Sequence, residues 1–246
     1  MRVFILAGGL GTRIRSLFPQ RPKPMIPVLG RPFLEWQIEL LIGQGLRDLV
    51  LCVSHLAEQI IQHFGDGAAW GVNIAYSVEA TTLGTAGALK NAAALFQDTS
   101  LVLNGDTYVA ADYNGLVAAH EQQAARSRLV GSLGLAQVAD TSRYGRVIVG
   151  PDQRIETFVE KGAGVQAGLV NAGVYVFEQA VLDYIPAGRV TSLEREVLPI
   201  LAADRTLGGA PVHGSFVDMG TPEGYQALER LLQSTLPQVT NLREGE

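Results

Sequence analysis

Two short segments near the start of the chain carry the residues best suited to chemistry. Leu6-Ala7 leads into Gly8-Gly9-Leu10-Gly11-Thr12-Arg13, and Pro22-Lys23-Pro24-Met25 follows. Glycines have no Cβ to keep backbone N–H groups away from an anion. An arginine and a lysine close behind neutralise its charge. Together they make a place to hold phosphates. The first 34 residues carry six basic side chains (Arg2, Arg13, Arg15, Arg21, Lys23 and Arg31) and no acidic one. The whole chain is acidic, with 24 Asp+Glu against 19 Lys+Arg and a net charge of −5. Two familiar phosphate motifs are excluded. A P-loop needs Lys-Ser/Thr after its last glycine, but Gly11 is followed by Thr12-Arg13. A dinucleotide fingerprint needs a third glycine where Ile14 stands. Lys23 lies between two prolines, a stiff mount that suits a cation whose position matters.

Further candidates lie downstream. Asp106 closes Leu103-Asn104-Gly105-Asp106, and Asp218 follows Ser215-Phe216-Val217. Two carboxylates at strand ends can hold Mg2+ together with phosphate oxygens and water. Taken singly, each is equally a turn or cap aspartate. Glu79-Ala80-Thr81-Thr82-Leu83-Gly84-Thr85 is small enough for a flat base to approach, and Glu79 can accept from it. Glu160, Lys161 and Asn171 offer a carboxylate, an ammonium and an amide, though each alone is an ordinary surface residue. The four histidines show no ligand spacing and no partner, and read as structural or solvated. Cys52, the one cysteine, sits in an apolar run and reads as a packing residue.

These residues need a frame. Arg2–Ala7 reads as a buried strand that delivers the glycine loop. Four prolines keep Pro19–Pro27 irregular. Pro32–Gln44 reads as a helix, and strand–helix alternation follows: strand Asp48–Val53, helix Ala57–Phe64, strand Val72–Ser77, helix Ala86–Phe96, strand Ser100–Leu103, helix Leu116–Ala125, strand Arg128–Leu135. That alternation predicts an α/β fold, a mainly parallel sheet with helices on both faces. Ligands bind beyond the C-terminal strand ends of such sheets, so the glycine loop and Asn104-Gly105-Asp106 should meet there. From about residue 140, strands Gly145–Val149, Arg154–Val159 and Leu169–Phe177 predict a small antiparallel lobe for a second substrate. Helices return at Glu178–Tyr184, Leu193–Ala203 and Pro222–Leu232. The expectation is one unit over 1–234 with a polar tail over 235–246.

The glycine loop and Pro22-Lys23-Pro24-Met25, in this order and spacing, resemble the signature of the sugar-1-phosphate nucleotidyltransferases, with further matches over about residues 3–225. The resemblance implies a Rossmann-like mixed sheet and the synthesis of an NDP-sugar from an NTP and a sugar 1-phosphate, with nucleotide binding in about 1–135 and sugar binding in about 136–220. It implies nucleotide contacts from Leu6, Ala7, Gly8, Gly9, Gly11, Thr12, Glu79, Gly84 and Thr85, and action of Arg13 and Lys23 on the phosphates. It implies metal ligation by Asp106 and Asp218, and sugar-phosphate contacts from Tyr144, Gly145, Glu160, Lys161 and Asn171. Within the family, Leu83-Gly84-Thr85-Ala86-Gly87-Ala88, Arg143-Tyr144-Gly145 and Gly168–Tyr175 look most like the D-glycero-α-D-manno-heptose 1-phosphate guanylyltransferases, which use GTP and make GDP-heptose for bacterial surface polysaccharide. Ala86 and Ala172 stand where those relatives more often have Gly. Mannose 1-phosphate guanylyltransferases and uridylyl- or thymidylyltransferases are the runners-up.

A nucleotide-sugar glycosyltransferase is a competing class, but Asn104 replaces the first acid of its Asp-x-Asp motif and Lys23 would be unexplained. A non-catalytic sensor would not need the charged set. The acidic balance argues against nucleic acid. No apolar run approaches the ~18 residues of a membrane span. With no leader-like start and one cysteine, a cytoplasmic enzyme is expected, with assembly into a homo-oligomer left open. Nothing resembles the hexapeptide-repeat extension of some relatives, so no acetyltransferase activity is expected.

Overall fold

The computed structural model describes residues 1–9, 11, 13–14, 17–159 and 164–235. Thr12, Glu160, Lys161 and the tail from 236 lie outside them. In chain order the elements are β1 (Arg2–Leu6), β2 (Pro27–Val28), β3 (Arg31–Pro32), α1 (Phe33–Gly43), β4 (Asp48–Val53), α2 (Ala57–Phe64), β5 (Asn73–Val78), α3 (Gly84–Asn91), β6 (Thr99–Asn104), β7 (Thr107–Ala110) and α4 (Tyr113–Ala124). Then come β8 (Gly131–Val138), β9 (Arg146–Val149), β10 (Ile155–Val159), β11 (Gly168–Glu178), α5 (Leu198–Ala203), β12 (Leu207–Pro211), β13 (Ser215–Asp218) and α6 (Pro222–Thr235).

The apolar runs β1, β4, β5 and β6 pair in parallel, in the spatial order β6-β1-β4-β5. Such strands are buried on both faces, which is why they lack alternation. Val3, Ile5, Leu49, Leu51, Leu101 and Leu103 face a core shared with α1, α2 and α4. Phe4, Val50, Cys52 and Val102 face the opposite core, with α3 and α5. A third, smaller core joins Val28, Phe33, Trp36, Tyr108 and Met219 to Leu228 and Leu232 of α6.

β11 joins the two halves of the molecule. It runs antiparallel to β6 over Val174–Glu178 and to β8 on its other edge, and meets β9 at Leu169. The expected antiparallel lobe (β9, β10 and the start of β11) therefore continues the nine-stranded sheet rather than standing apart from it. β7 and β13 form a separate two-stranded ribbon that pairs Thr107 with Asp218. Two expected helices differ in detail: Glu178–Tyr184 is a 3-10 segment from Gln179, and Leu193–Ala203 opens with a π turn over Leu193–Val197.

Candidate active site

Because β1 and β6 are parallel neighbours in register, Leu6 lies opposite Asn104 and their following loops leave the sheet together. Gly105 N–H donates to Leu6 O at 3.1 Å, and Ala7 N–H donates to Cys52 O at 2.8 Å. A Cβ on Gly105 would sit 2.6 Å from Leu6 O, so only glycine lets these loops touch. They frame a cavity of about 370 Å3. Leu6, Ala7, Gly8, Gly9, Gly11, Glu79, Gly84 and Thr85 line it, with Lys23 and Asp106. Thus every expected nucleotide contact except Thr12, which lies outside the described residues, meets in one hollow.

The charged groups converge at its edge. Lys23 leads a 3-10 turn, Lys23–Met25, started by Pro22 and Pro24, and is only 8% exposed. Its stem runs under Gly11, where a Cβ would lie 3.1 Å from Lys23 Cβ; Gly11 also holds φ +60°, a left-handed value that favours glycine. Lys23 Nζ pairs with Asp106 Oδ2. Thr107 Oγ1 donates to Asp106 Oδ1 at 3.1 Å. Burial pushes the Asp106 carboxyl up, but Lys23, Thr107 and Arg13 outweigh it and hold it below its usual range. Asp218 arrives beside this turn through the β7–β13 ribbon, and Met219 N–H donates to Asp106 O at 3.0 Å. Gly220 marks the meeting point. The position a Cβ would take there lies 2.8 Å from Asp218 Oδ1, 2.8 Å from Lys23 Nζ and 3.2 Å from Arg13 Nη2. The guanidinium and ammonium heads therefore face the aspartates.

Glu79 is buried, and burial raises its carboxyl above the usual range against the lowering pull of the Leu83 N–H. Leu83 N–H donates to Oε2 at 2.7 Å, and Oε1 lies 2.8 Å from where a Gly8 Cβ would be. Asn104 lines the cavity too, where the Asn104-Gly105-Asp106 turn was expected to meet the glycine loop, and so does Glu194, which was not expected there. Glu194 accepts from Thr85 Oγ1 at 2.8 Å, from Ser192 Oγ at 2.9 Å and from the Tyr175 hydroxyl at 3.3 Å. Burial, and then the Glu194 charge, keeps the Tyr175 hydroxyl protonated by raising it well above its usual value. Asn171 Nδ2 donates to that hydroxyl at 3.0 Å. Asn171 is thus linked through Tyr175 to Glu194 on the cavity wall but does not itself line the cavity.

Tyr144 and Gly145 immediately precede β9. The Tyr144 ring packs on Phe216 at 5.3 Å, and Arg143 Nη2 donates to Thr221 Oγ1 at 3.1 Å. They stand beside the Asp218 loop, outside the cavity wall. Glu160 and Lys161 lie outside the described residues. Two histidines expected to lack partners have them: His63 Nε2 lies 2.7 Å from Glu35 Oε1, and buried His120 bridges Ser132 and Glu178. Both lie apart from the cavity, since long-range packing supplied carboxylates that local spacing could not reveal.

Among the described residues no cluster of three or more His, Cys, Asp or Glu could hold a metal. Asp106 and Asp218 offer two carboxylates and no soft donor. That set fits a hard divalent cation that takes its remaining ligands from water and phosphate oxygens. Among the described residues no helix is long and apolar enough to cross a membrane.

A family model described as "Nucleotidyl transferase" matches residues 2–235. A mannose-1-phosphate guanylyltransferase from Mycobacterium tuberculosis is 38% identical over 90% of this chain and 61% of its own length. A UTP–glucose-1-phosphate uridylyltransferase from Synechocystis is 37% identical over 97% of this chain and 65% of its own. The chain therefore spans less than two thirds of the length of these curated relatives. The crystal structure of HddC from Yersinia pseudotuberculosis complexed with GMP-PN superposes with a TM-score of 0.81 at 30% identity, covering 94% of this chain and 99% of that one. The glycine loop, the buried lysine, the paired aspartates and a match over nearly the whole length lead to one conclusion: the chain belongs to the nucleotidyl transferase family.

Proposed function

We propose that the chain joins an NTP to a sugar 1-phosphate with release of pyrophosphate, and that the pair is GTP and D-glycero-α-D-manno-heptose 1-phosphate. The product would be GDP-heptose, made in the cytoplasm for bacterial surface polysaccharide, with residues 1–234 acting as one unit. The observation that carries this reading is the convergence of Lys23, Arg13 and Asp218 on Gly220, with Asp106 paired to Lys23, at the edge of a glycine-lined cavity.

Nucleotidyl transfer is an in-line displacement at the α-phosphorus, and it leaves the protein mostly positioning and charge stabilisation. A phosphate monoester with a second pKa of about 6 is already a dianion near neutral pH, so no general base is needed. The obstacle is repulsion between two polyanions. The glycine-loop amides hold the triphosphate, Lys23 and Arg13 neutralise charge at the α-phosphate, and Asp106 and Asp218 would hold Mg2+. Bound there, Mg2+ supplies Lewis-acid stabilisation of the phosphate oxygens. Asn171, Tyr144 and Gly145, with Glu160 and Lys161, serve the sugar phosphate. Glu79 favours guanine, whose adjacent N1–H and N2–H donors suit a carboxylate, whereas uracil offers one N–H.

Support for GTP comes from the guanylyltransferase relatives and from the GMP-PN bound to HddC. Support for the heptose comes from the Leu83–Ala88, Arg143–Gly145 and Gly168–Tyr175 motifs. Mannose 1-phosphate is the second reading, favoured by the 38% identity to the mycobacterial enzyme. A matrix of four NTPs against several sugar 1-phosphates, scored by pyrophosphate release, tests both. GTP with the heptose phosphate should be the best pair; a preference for UTP or dTTP would overturn the choice of base.

A further inference from the structure

Gln37 lies on α1, is 2% exposed, and was not among the residues expected at the site. Its side-chain nitrogen donates to Asn104 O at 2.9 Å and to Thr107 O at 3.0 Å. These carbonyls flank Gly105-Asp106. Because both partners are acceptors, the amide group has one possible orientation, and both its N–H bonds are used. Its oxygen is buried with no partner among the described residues. An unmet buried acceptor is a cost that an apolar side chain of similar length would avoid. That side chain would also deprive the Asn104 and Thr107 carbonyls of their donor, so what the glutamine contributes is the fastening of the turn between them.

We infer that Gln37 is a positioning residue that fixes the turn carrying Asp106 at the spacing from Lys23 and Asp218 that cation binding requires. The turn has three anchors. Gly105 N–H ties it to β1 and Asp106 O ties it to Met219 beyond β13, while Gln37 ties both of its ends to α1. The same helix is fastened to the lysine: Phe33 N–H donates to Ile26 O at 3.0 Å, and Ile26 N–H donates to Lys23 O at 3.2 Å. A short bonded path thus runs from the Lys23 backbone through α1 to the Asp106 turn. This inference rests on the proposed role of Asp106 as a metal ligand.

The test uses the full chain with Gln37→Met, which keeps length and removes both donors. Mn2+ affinity is read by electron paramagnetic resonance with a non-hydrolysable GTP analogue bound, and hydrogen exchange over residues 104–107 is read without metal. Loss of an outer partner of a metal ligand should weaken Mn2+ binding about 10- to 100-fold. Exchange in the turn should quicken, and analogue affinity in EDTA should stay unchanged. Unaltered Mn2+ affinity overturns the inference, as does a lower Tm with unaltered affinity, which would mark a merely structural role. Gln37→Glu is the second variant, since it donates only when protonated. With at most one donor in place of two, it should also bind Mn2+ more weakly than wild type, and unaltered affinity counts against the inference. Asp106→Asn runs alongside. If it keeps Mn2+ affinity, the metal role of Asp106 fails; if it loses affinity while Gln37→Met does not, only the role of Gln37 fails.

Discussion

Gly220→Ala tests the convergence of charges with a single methyl group. The new Cβ would stand 2.8 Å from Lys23 Nζ, 2.8 Å from Asp218 Oδ1 and 3.2 Å from Arg13 Nη2. Comfortable heavy-atom separations are about 3.5–4.0 Å, so the ammonium and the carboxylate, each 2.8 Å away, must retreat by roughly 0.7–1.2 Å. All three atoms end flexible side chains, so the fold can absorb the change. Gly220 does not use a left-handed φ, and alanine fits its backbone. Reduced unfolded-state entropy should stabilise the variant by about 0.4–1 kcal/mol, against about 0.5–1.5 kcal/mol for a displaced rotamer. Net stability should hardly move.

Catalysis should move far more. A misplacement of about 1 Å in a positioned site costs about 100-fold in rate. The expected outcome is kcat reduced about 100-fold in a pyrophosphate-release assay with GTP and sugar 1-phosphate, at a Tm within a few degrees of wild type. If kcat stays within about threefold at an unchanged Tm, the three heads do not meet at Gly220 during turnover, and the electrostatic account of this site is wrong.

Lys23→Met should lower kcat by about 100- to 1000-fold, as loss of a preorganised charge does. Because Asp106 is held below its usual range, it contributes stability above the unfolded value of about 3.9, and this is lost as pH falls through the folded value; urea titrations between pH 5 and pH 2 should show that acid limb shrink in Lys23→Met. Glu79 is raised, so its effect has the opposite sign: stability declines as pH rises through the folded value, and Glu79→Gln should remove that decline. The same variant should cut the kcat/KM preference for GTP over other NTPs by about 10- to 100-fold, and an unchanged preference would take Glu79 out of base selection. Burial, then Glu79, pushes the Cys52 thiol up, so an aromatic disulfide reagent should not label native protein; prompt labelling would mean that β4 opens.

The parallel strands and the glycine loop were legible because local composition determines them. β4 and α2 keep their expected bounds, Asp48–Val53 and Ala57–Phe64. β12 was not legible. Leu207-Gly208-Gly209-Ala210-Pro211 has loop composition, yet it pairs with β8, and a Cβ on Gly209 would lie 2.7 Å from Leu135 and 2.8 Å from Ile155. Glycine is required there by packing that local sequence does not announce. α3 starts at Gly84 and ends at Asn91 rather than spanning Ala86–Phe96, because Ala86 and Gly87 N–H groups find Thr191 O, a partner distant in sequence. In the site, the glycine loop, Asp106 directly after Gly105 and Lys23 between two prolines were readable. Glu194 and Gln37 were not, since each looks like an ordinary helical polar residue until its partners from other elements are known.

The ribbon of β7 and β13 lies off the main sheet and is backed by α6 through Met219, Leu228 and Leu232. Asp218 is thus supplied by a flap with its own fastening, while the cavity walls belong to the central strands. Loosening α6 would silence turnover and leave the nucleotide hollow intact. Heat should extinguish activity before it abolishes nucleotide binding, with the chemistry lost first.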